Sequence, residues 1–195
     1  MPGLRVISGS ARGRRLKMVP GQPALAGRPG GTRPITDRVK EALFNILGAD
    51  VEGAVFLDLF AGTGGVGIEA LSRGAARVVF VESDRAAAKI IAENLAHTGL
   101  TKRAQVARAD VFRFLAGPRA DAFDIIYVAP PQYGGLWQQT LAALDADPGW
   151  LNPDGWAIAQ IHPVEYAELQ LAHLRLGDRR KYGSTLLCFY EKPGE

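Results

Sequence analysis

The chain has 195 residues, 47% of them hydrophobic and 22% charged, with a formal charge of +3 and one cysteine. That balance fits one globular domain with room for a small appendage, and no apolar run nears the ~20 residues that span a bilayer. Cys188 in STLLCFY has no disulfide partner and no His/Cys cluster beside it, and MPGLRVISGSARGRR lacks a signal-peptide core, so a cytoplasmic protein without metal or membrane attachment is expected.

The charge is unevenly spread. Residues 1–40 carry nine Lys and Arg against the single acid Asp37, a net +8, while the remainder carries 14 basic and 19 acidic residues, a net −5. A basic arm on an acidic body suits a polyanion, because neutralising phosphates releases condensed counterions. Residues 4–19 alternate around LRVISG and RRLKMV, with Gly-Ser-Ala-Arg-Gly between them, which predicts a basic β-hairpin. The Pro- and Gly-rich residues 20–34 read as a mobile loop. Thr36 then caps a helix with Val39, Leu43, Phe44, Ile46 and Leu47 on its apolar side and Gly48 at its end. Residues 1–50 thus form a basic N-terminal hairpin, loop and helix, ahead of an α/β domain over 51–195.

From residue 54 strands and helices alternate. VFLDLF, RVVFVES, AQVARA, FDIIYV and GWAIAQI read as strands, and GVGIEALSRG, DRAAAKIIAENLAHTG, VFRFLAG and Leu136 to Leu144 as helices. Asp84 caps the second of these helices, and Gly74 and Gly99 close the first two. The tail LQLAHLRLGDRRKYGSTLLCFYEK reads as two strands joined by a polar turn containing glycine. The pattern predicts a mostly parallel, doubly wound sheet with a reversed C-terminal edge.

Strand VFLDLF runs straight into AGTGGVG, where Gly62, Gly64 and Gly67 fit G-x-G-x-x-G, and Glu82 ends the next strand. Such glycines let the backbone approach a nucleotide, and such an acid takes ribose hydroxyls. Asp58 sits just before the loop, where a carboxylate repels a pyrophosphate but suits the ammonium and sulfonium of S-adenosylmethionine. Asp110, after the third strand, falls where the adenine would lie. S-adenosylmethionine is therefore preferred over NAD.

TRPITDRVKEALFNIL, FLDLFAGTGGVGIEALSRGA, VFVESD and the two-proline loop after the fourth strand, in this order, closely resemble the bacterial RsmD family. Its members are guanine-N2 methyltransferases of small-subunit ribosomal RNA. The resemblance runs from the basic hairpin to about residue 145 and, more loosely, to the end. It implies a Rossmann-like class I S-adenosylmethionine-dependent methyltransferase fold with a seven-stranded sheet. It also implies transfer to the exocyclic N2 amine of one guanine in 16S ribosomal RNA, on the small subunit or a late assembly intermediate, by a monomer. By that resemblance Asp58, Phe60, Gly62 and Gly64 would hold the methionine part, Glu82 and Ser83 the ribose, and Asp110 and Val111 the adenine. Thr36 and the helix it caps would lie beside cofactor and target base, and Arg12, Arg14, Arg15, Lys17, Arg33 and Arg38 would meet RNA.

The loop VAPPQY departs from the family pattern, which has Asp, Asn or Ser before the prolines and an aromatic directly after them. Here Ala129 and Gln132 take those places, and Tyr133 comes one step late. An exocyclic amine is a poor nucleophile because its lone pair is delocalised into the ring. Two acceptors on its hydrogens ready it for in-line attack on the methyl group. The carbonyl of Pro130 is one acceptor, held by Pro131, whose ring restricts the residue before it. Gln132, Asp37 or Asn45 could supply the other, and Tyr133 a stacking surface for the base. The resemblance makes Ala129, Pro130, Pro131 and Tyr133 the catalytic loop. Other readings stay open: a catalytically silent RNA-binding assembly factor, for which Ala129 speaks, a DNA adenine methyltransferase without a target-recognition domain, or an NAD-dependent oxidoreductase short of a substrate domain. His97, His162 and His173 show no ligand spacing, and Trp137, Trp150 and Trp156 read as packing residues.

Overall fold

The computed structural model describes residues 4–19 and 35–193, so the predicted loop over 20–34 lies outside the described residues. In chain order the elements are α1 (Asp37–Leu47), β1 (Val55–Leu59), α2 (Gly65–Ser72), β2 (Arg77–Val81), α3 (Arg85–Thr98), β3 (Ala104–Ala107) and α4 (Val111–Leu115). They continue with β4 (Phe123–Val128), α5 (Leu136–Ala146), β5 (Leu151–Ile161), β6 (Arg175–Tyr182) and β7 (Thr185–Glu191). The sheet runs β3-β2-β1-β4-β5-β7-β6. Strands β1 to β5 pair in parallel, and β7 runs antiparallel to both β5 and β6. This is the expected sheet with a reversed edge.

The central strands are apolar on both faces because both faces are covered, as parallel sheets require. On one face Phe56, Val78, Phe80, Ile125 and Ile158 pack under α1, α2 and α3; on the other Leu57, Val79, Ile126 and Ala157 pack under α4 and α5. The chain leaves β1 for β2 and β3, then returns to place β4 on the other side of β1. That reversal opens a crevice at the C-terminal ends of β1 and β4. Gly67 lets α2 lie close on the sheet, since a Cβ there would come within 2.3 Å of the Phe80 ring.

The N-terminal arm departs from the expected hairpin. A single bridge joins Arg5 and Arg15, supported by Val6 N donating to Arg14 O at 2.9 Å and Leu16 N to Leu4 O at 2.8 Å. Gly13 N also donates to Val6 O at 2.8 Å, but several other amides of the arm bond to helices, and no longer ladder forms. The amides of Ile7 and Ser8 donate to the Glu69 carboxylate at 2.8 and 3.0 Å. Ser10 N donates to Ser72 O, Ala11 N to Ser72 Oγ, and Lys17 N to Asn94 Oδ1. Gly9 rides so close on α2 that a Cβ would fall 1.8 Å from Ser72 O. Val6, Ala11 and Leu16 join the core under α1.

Lys40 from α1 is fully buried beside Glu69, with Nζ 3.3 Å from Oε2 and donating to Arg5 O at 2.5 Å. Arg73 adds a second cation at 2.8 Å. Burial lowers the Lys40 pKa from its ordinary 10.5, and Glu69 opposes that shift.

Two further expectations need correction. Ile46 is 41% exposed, because the inward face of α1 is completed by Lys40 rather than by a further apolar residue. β5 begins at Leu151, its register shifting where Asp154 takes φ +59°. In the tail, β6 and β7 are joined by a polar turn at Gly183–Ser184, as expected, with the charged stretch inside β6. Trp137 and Trp150 are buried in the core and Trp156 packs against it, as expected, and Cys188 is buried. No helix among the described residues is long and apolar enough to cross a membrane.

Glu69→Leu is expected to cost about 3–5 kcal/mol in urea unfolding, the usual loss when one partner of a buried pair goes. Adding Lys40→Met should recover only part, because the Ile7 and Ser8 amides stay unpaired. Full recovery would show that the arm's amides carry no stability.

Candidate active site

The loop after β1 is bent and pinned. Phe60 has φ +61° and Gly62 +57°, and Gly64 at +82° caps α2. Ala61 N donates to Val81 O at 3.0 Å, Gly62 N to Glu82 Oε2 at 2.7 Å, and Asn94 Nδ2 to Thr63 O at 3.0 Å. Glu82 is half-buried, and its second oxygen accepts from Asp84 N at 2.8 Å. Each carboxylate oxygen therefore keeps a lone pair for a hydroxyl group. Ser83 and Asp110 are exposed beside it. Asp110 caps α4 through Oδ1, which accepts from Phe112 N and Arg113 N at 3.0 Å, and Val111 behind it is buried.

Asp58 is not the open carboxylate expected at the mouth of this loop. It is 2% exposed, on the strand face shared with Phe56, and Oδ2 accepts from Gly67 N at 2.9 Å. Burial pushes its pKa from 3.8 up to about 8; the Gly67 bond pulls down and Glu82 pushes up. Near neutrality the group is mostly protonated. It braces α2 from below and does not decide the charge of a ligand above the loop, so the charge argument from Asp58 against a pyrophosphate falls.

The loop after β4 lies against the first. Leu59 pairs with Val128, and Ala129 N donates to Leu59 O at 3.4 Å. Pro130 is buried and Pro131 half-buried, after which Tyr133 turns outward with φ +65°. Its amide donates to Glu165 Oε1 at 2.6 Å, and its 46%-exposed ring leans on His162 at 5.8 Å. Beside this loop lies a cavity of about 150 Å³, lined by Thr36 and Val39 of α1, Gln132, Gln160, and Tyr182 to Thr185 around the β6–β7 turn. Of the three acceptors offered by the sequence, Gln132 reaches this cavity. Asp37 is held by Arg5 at 2.8 Å, and Asn45 is exposed on α1.

Of the predicted cationic contacts, Arg12, Arg15 and Arg38 are exposed. Arg14 donates to His97 O, and Lys17 pairs with Glu93 at 2.9 Å; Arg33 lies outside the described residues. A second basic surface was missed. Edge strand β6 exposes Arg175, Arg179, Arg180 and Lys181 next to the cavity turn, and RLGDRRKY was its legible signal. Gln160, Tyr127 and Glu165 also went unread, and His162 was read only as lacking ligand spacing, since only the fold gathers them here. Among the described residues no cluster of His, Cys, Asp and Glu could hold a metal ion.

The chain is similar to known proteins over most of its length. The family model described as conserved hypothetical protein 95 matches residues 4–191. A Bacillus subtilis protein named as a candidate rRNA methyltransferase, YlbH, is 40% identical over 98% of this chain and all of its own length. Ribosomal RNA small subunit methyltransferase D of Escherichia coli K12 is 42% identical over 76% of this chain and 69% of its own. Among solved structures, an Escherichia coli protein named as a candidate methyltransferase, YhhF, superposes with a TM-score of 0.82 at 32% identity, covering 98% of this chain and 99% of that one. A Salinibacter ruber RNA methyltransferase bound to S-adenosyl-L-homocysteine, 18% identical over 83% of this chain and 95% of its own, shares the fold with a TM-score of 0.62.

The buried Asp58 makes stability depend on pH. A carboxyl whose folded pKa stands above its unfolded value binds its proton more tightly in the folded chain. Stability should therefore fall as pH rises from 3.8 towards about 8, then level off. Asp58→Asn keeps a carbonyl for Gly67 N and should flatten that fall, measured as urea midpoints at pH 5 and 8. An identical fall in both proteins would place the titrating group elsewhere.

Proposed function

The chain belongs to the RsmD family, whose model carries the description conserved hypothetical protein 95, and on that premise we propose an S-adenosylmethionine-dependent ribosomal RNA methyltransferase. Its target on this reading is the exocyclic N2 amine of a guanine in 16S ribosomal RNA, met in the cytoplasm on the small subunit or a late assembly intermediate, by a monomer. The observation that carries the reading is the contact between the glycine loop and the two-proline loop, joined at Leu59 and Ala129 across the chain reversal. A cofactor over the first loop and a base at the second then meet in one crevice. The residues fit that cofactor, since Glu82 keeps acceptor positions for vicinal hydroxyls and Asp110 with Val111 offers an edge and an apolar wall for a purine.

When bound, S-adenosylmethionine supplies an electrophilic methyl group on a positively charged sulfur. The chain's part is to place the amine. The Pro130 carbonyl and the Gln132 side chain accept its two hydrogens, which turns the nitrogen lone pair toward the methyl carbon. In transfer the nitrogen would gain the methyl group from that sulfur, which would leave uncharged, and the amine would give up its extra proton to solvent. The two acceptors stabilise the positive charge that grows on nitrogen before that proton leaves. Gln132 takes over the role that Ala129 cannot fill, so the catalytically silent reading is not favoured. Tyr133, fixed by Glu165 and His162, covers the base. The N-terminal segment 1–50 is the RNA-facing extension, with Arg12, Arg15 and Arg38 on phosphates.

The direct test is transfer of labelled methyl groups to small subunits from a strain lacking this protein, with mass spectrometry of their nucleosides. A methylated guanine is the expected product, and silence at saturating cofactor would sink the reading. Glu82→Ala should weaken cofactor binding by about 1.5–3 kcal/mol in calorimetry. Tyr133→Ala should spare cofactor binding and slow transfer by an amount matching about 1–3 kcal/mol of lost stacking. Unchanged cofactor affinity in Glu82→Ala would move the ribose contact elsewhere, and lost cofactor affinity in Tyr133→Ala would remove Tyr133 from the base.

The paired and unpaired cations separate the arm's roles. Replacing Arg12, Arg15 and Arg38 by Ala should lower the salt slope of subunit binding by about 2–3, near 0.9 per phosphate. Lys17→Ala should change it little, since Glu93 already neutralises that charge. The reverse ranking would move the RNA track off this face.

A further inference from the structure

The cavity beside the two-proline loop holds a polar pair that the transfer step leaves unused. Tyr127 on β4 is 1% exposed, and its hydroxyl donates to Gln160 Oε1 on β5 at 2.5 Å. Gln160 lines the cavity. A buried phenol must place its proton on an acceptor, and here that acceptor is the glutamine oxygen. Burial, with Asp58 nearby, holds the Tyr127 pKa well above its ordinary 10, so it remains a donor throughout the physiological range. The amide is thereby oriented. Its oxygen is committed to Tyr127, and its nitrogen, with two N–H donors, is left for whatever enters the cavity.

Resting on the methyl-transfer reading above, we infer that Gln160, positioned by Tyr127, selects the target base by donating to the 6-oxo oxygen of a purine. The purine's 2-amino group then lies at Gln132 and the Pro130 carbonyl, on the same edge of the ring. A purine with an amino group at position 6 would set N–H against N–H in a closed space, leaving both donors without an acceptor. Thr36, Val39 and Tyr182 line the same cavity. Selection therefore comes from a hydrogen-bond donor that cannot rotate away, because turning the amide would strand the Tyr127 proton.

The test compares small subunits assembled on ribosomal RNA carrying guanine or 2,6-diaminopurine at the methylated position. Both bases keep the 2-amino group that accepts the methyl. Single-turnover transfer by the wild-type chain should favour guanine by roughly 10–100-fold, the effect of one buried donor facing its match or its like. Gln160→Glu, which keeps an acceptor for Tyr127 and presents a second one to the base, should abolish or reverse that preference. Tyr127→Phe, which lets the amide turn, should narrow it several-fold with cofactor affinity unchanged. A guanine preference untouched in both variants overturns the inference while leaving methyl transfer intact. Failure of the wild-type chain to methylate the guanine subunits overturns the transfer reading itself, and this inference with it.

Discussion

One buried carboxylate sets the geometry on which the site depends. Glu69 is fully enclosed and takes the amides of Ile7 and Ser8, the guanidinium of Arg73 and the ammonium of Lys40. A buried charge is tolerated only when its partners are all in place, so the arm, α1 and α2 have one low-energy arrangement relative to each other. α2 starts at the glycine loop, and α1 starts at Thr36 on the cavity wall. Fixing the two helices at Glu69 thus fixes the distance between the glycine loop and the cavity beside the two-proline loop. The Lys40 bond to Arg5 O adds the arm to the same assembly. The arm's exposed arginines are in this way tied to the two loops through core packing.

Much of this was legible because it was local. The alternation of apolar strands with capped helices, the glycine run after VFLDLF and the order of the motifs placed the sheet and the crevice. What escaped depended on partners far along the chain. Lys40 sits among Arg38 and Glu41 and reads as solvated; only Glu69 and the backbone of Arg5 bring it inside. The arm's alternation reads as a hairpin, yet only some of its amides pair across the arm, and those of Ile7, Ser8, Ala11 and Lys17 find partners on α2 and α3. Asp58 is different, because its signal was present. It shares strand parity with Phe56, which forecasts a place beneath α2 rather than in the mouth of the loop.

Backbone strain concentrates where the two loops meet. Among the described residues three non-glycine positions have positive φ, and two of them, Phe60 and Tyr133, flank the crevice. Such conformations cost of order 1–3 kcal/mol each and persist when surrounding bonds over-determine them. At Phe60 the constraint is the run of bonds from Ala61 to Glu82; at Tyr133 it is the Glu165 carboxylate. The displaced aromatic of APPQY becomes intelligible in these terms. Tyr133 comes one residue late, but the left-handed turn swings it outward over the cavity side, and His162 holds its ring. Gln132, pulled into the preceding place, faces the cavity instead of solvent.

The state of Asp58 also bears on the charge balance of the proposed reaction. With a pKa of about 8 it adds little negative charge at neutral pH, so the acids that face a ligand are Glu82 and Asp110. S-adenosylmethionine carries a sulfonium that its demethylated product lacks. Acids beside the loop therefore favour the charged reactant over the neutral-sulfur product, and more so because they sit at the rim of a partly closed crevice where screening is incomplete. Asp58 acts instead as a brace under the glycine loop, its carboxyl oxygen holding Gly67 and the start of α2 in place.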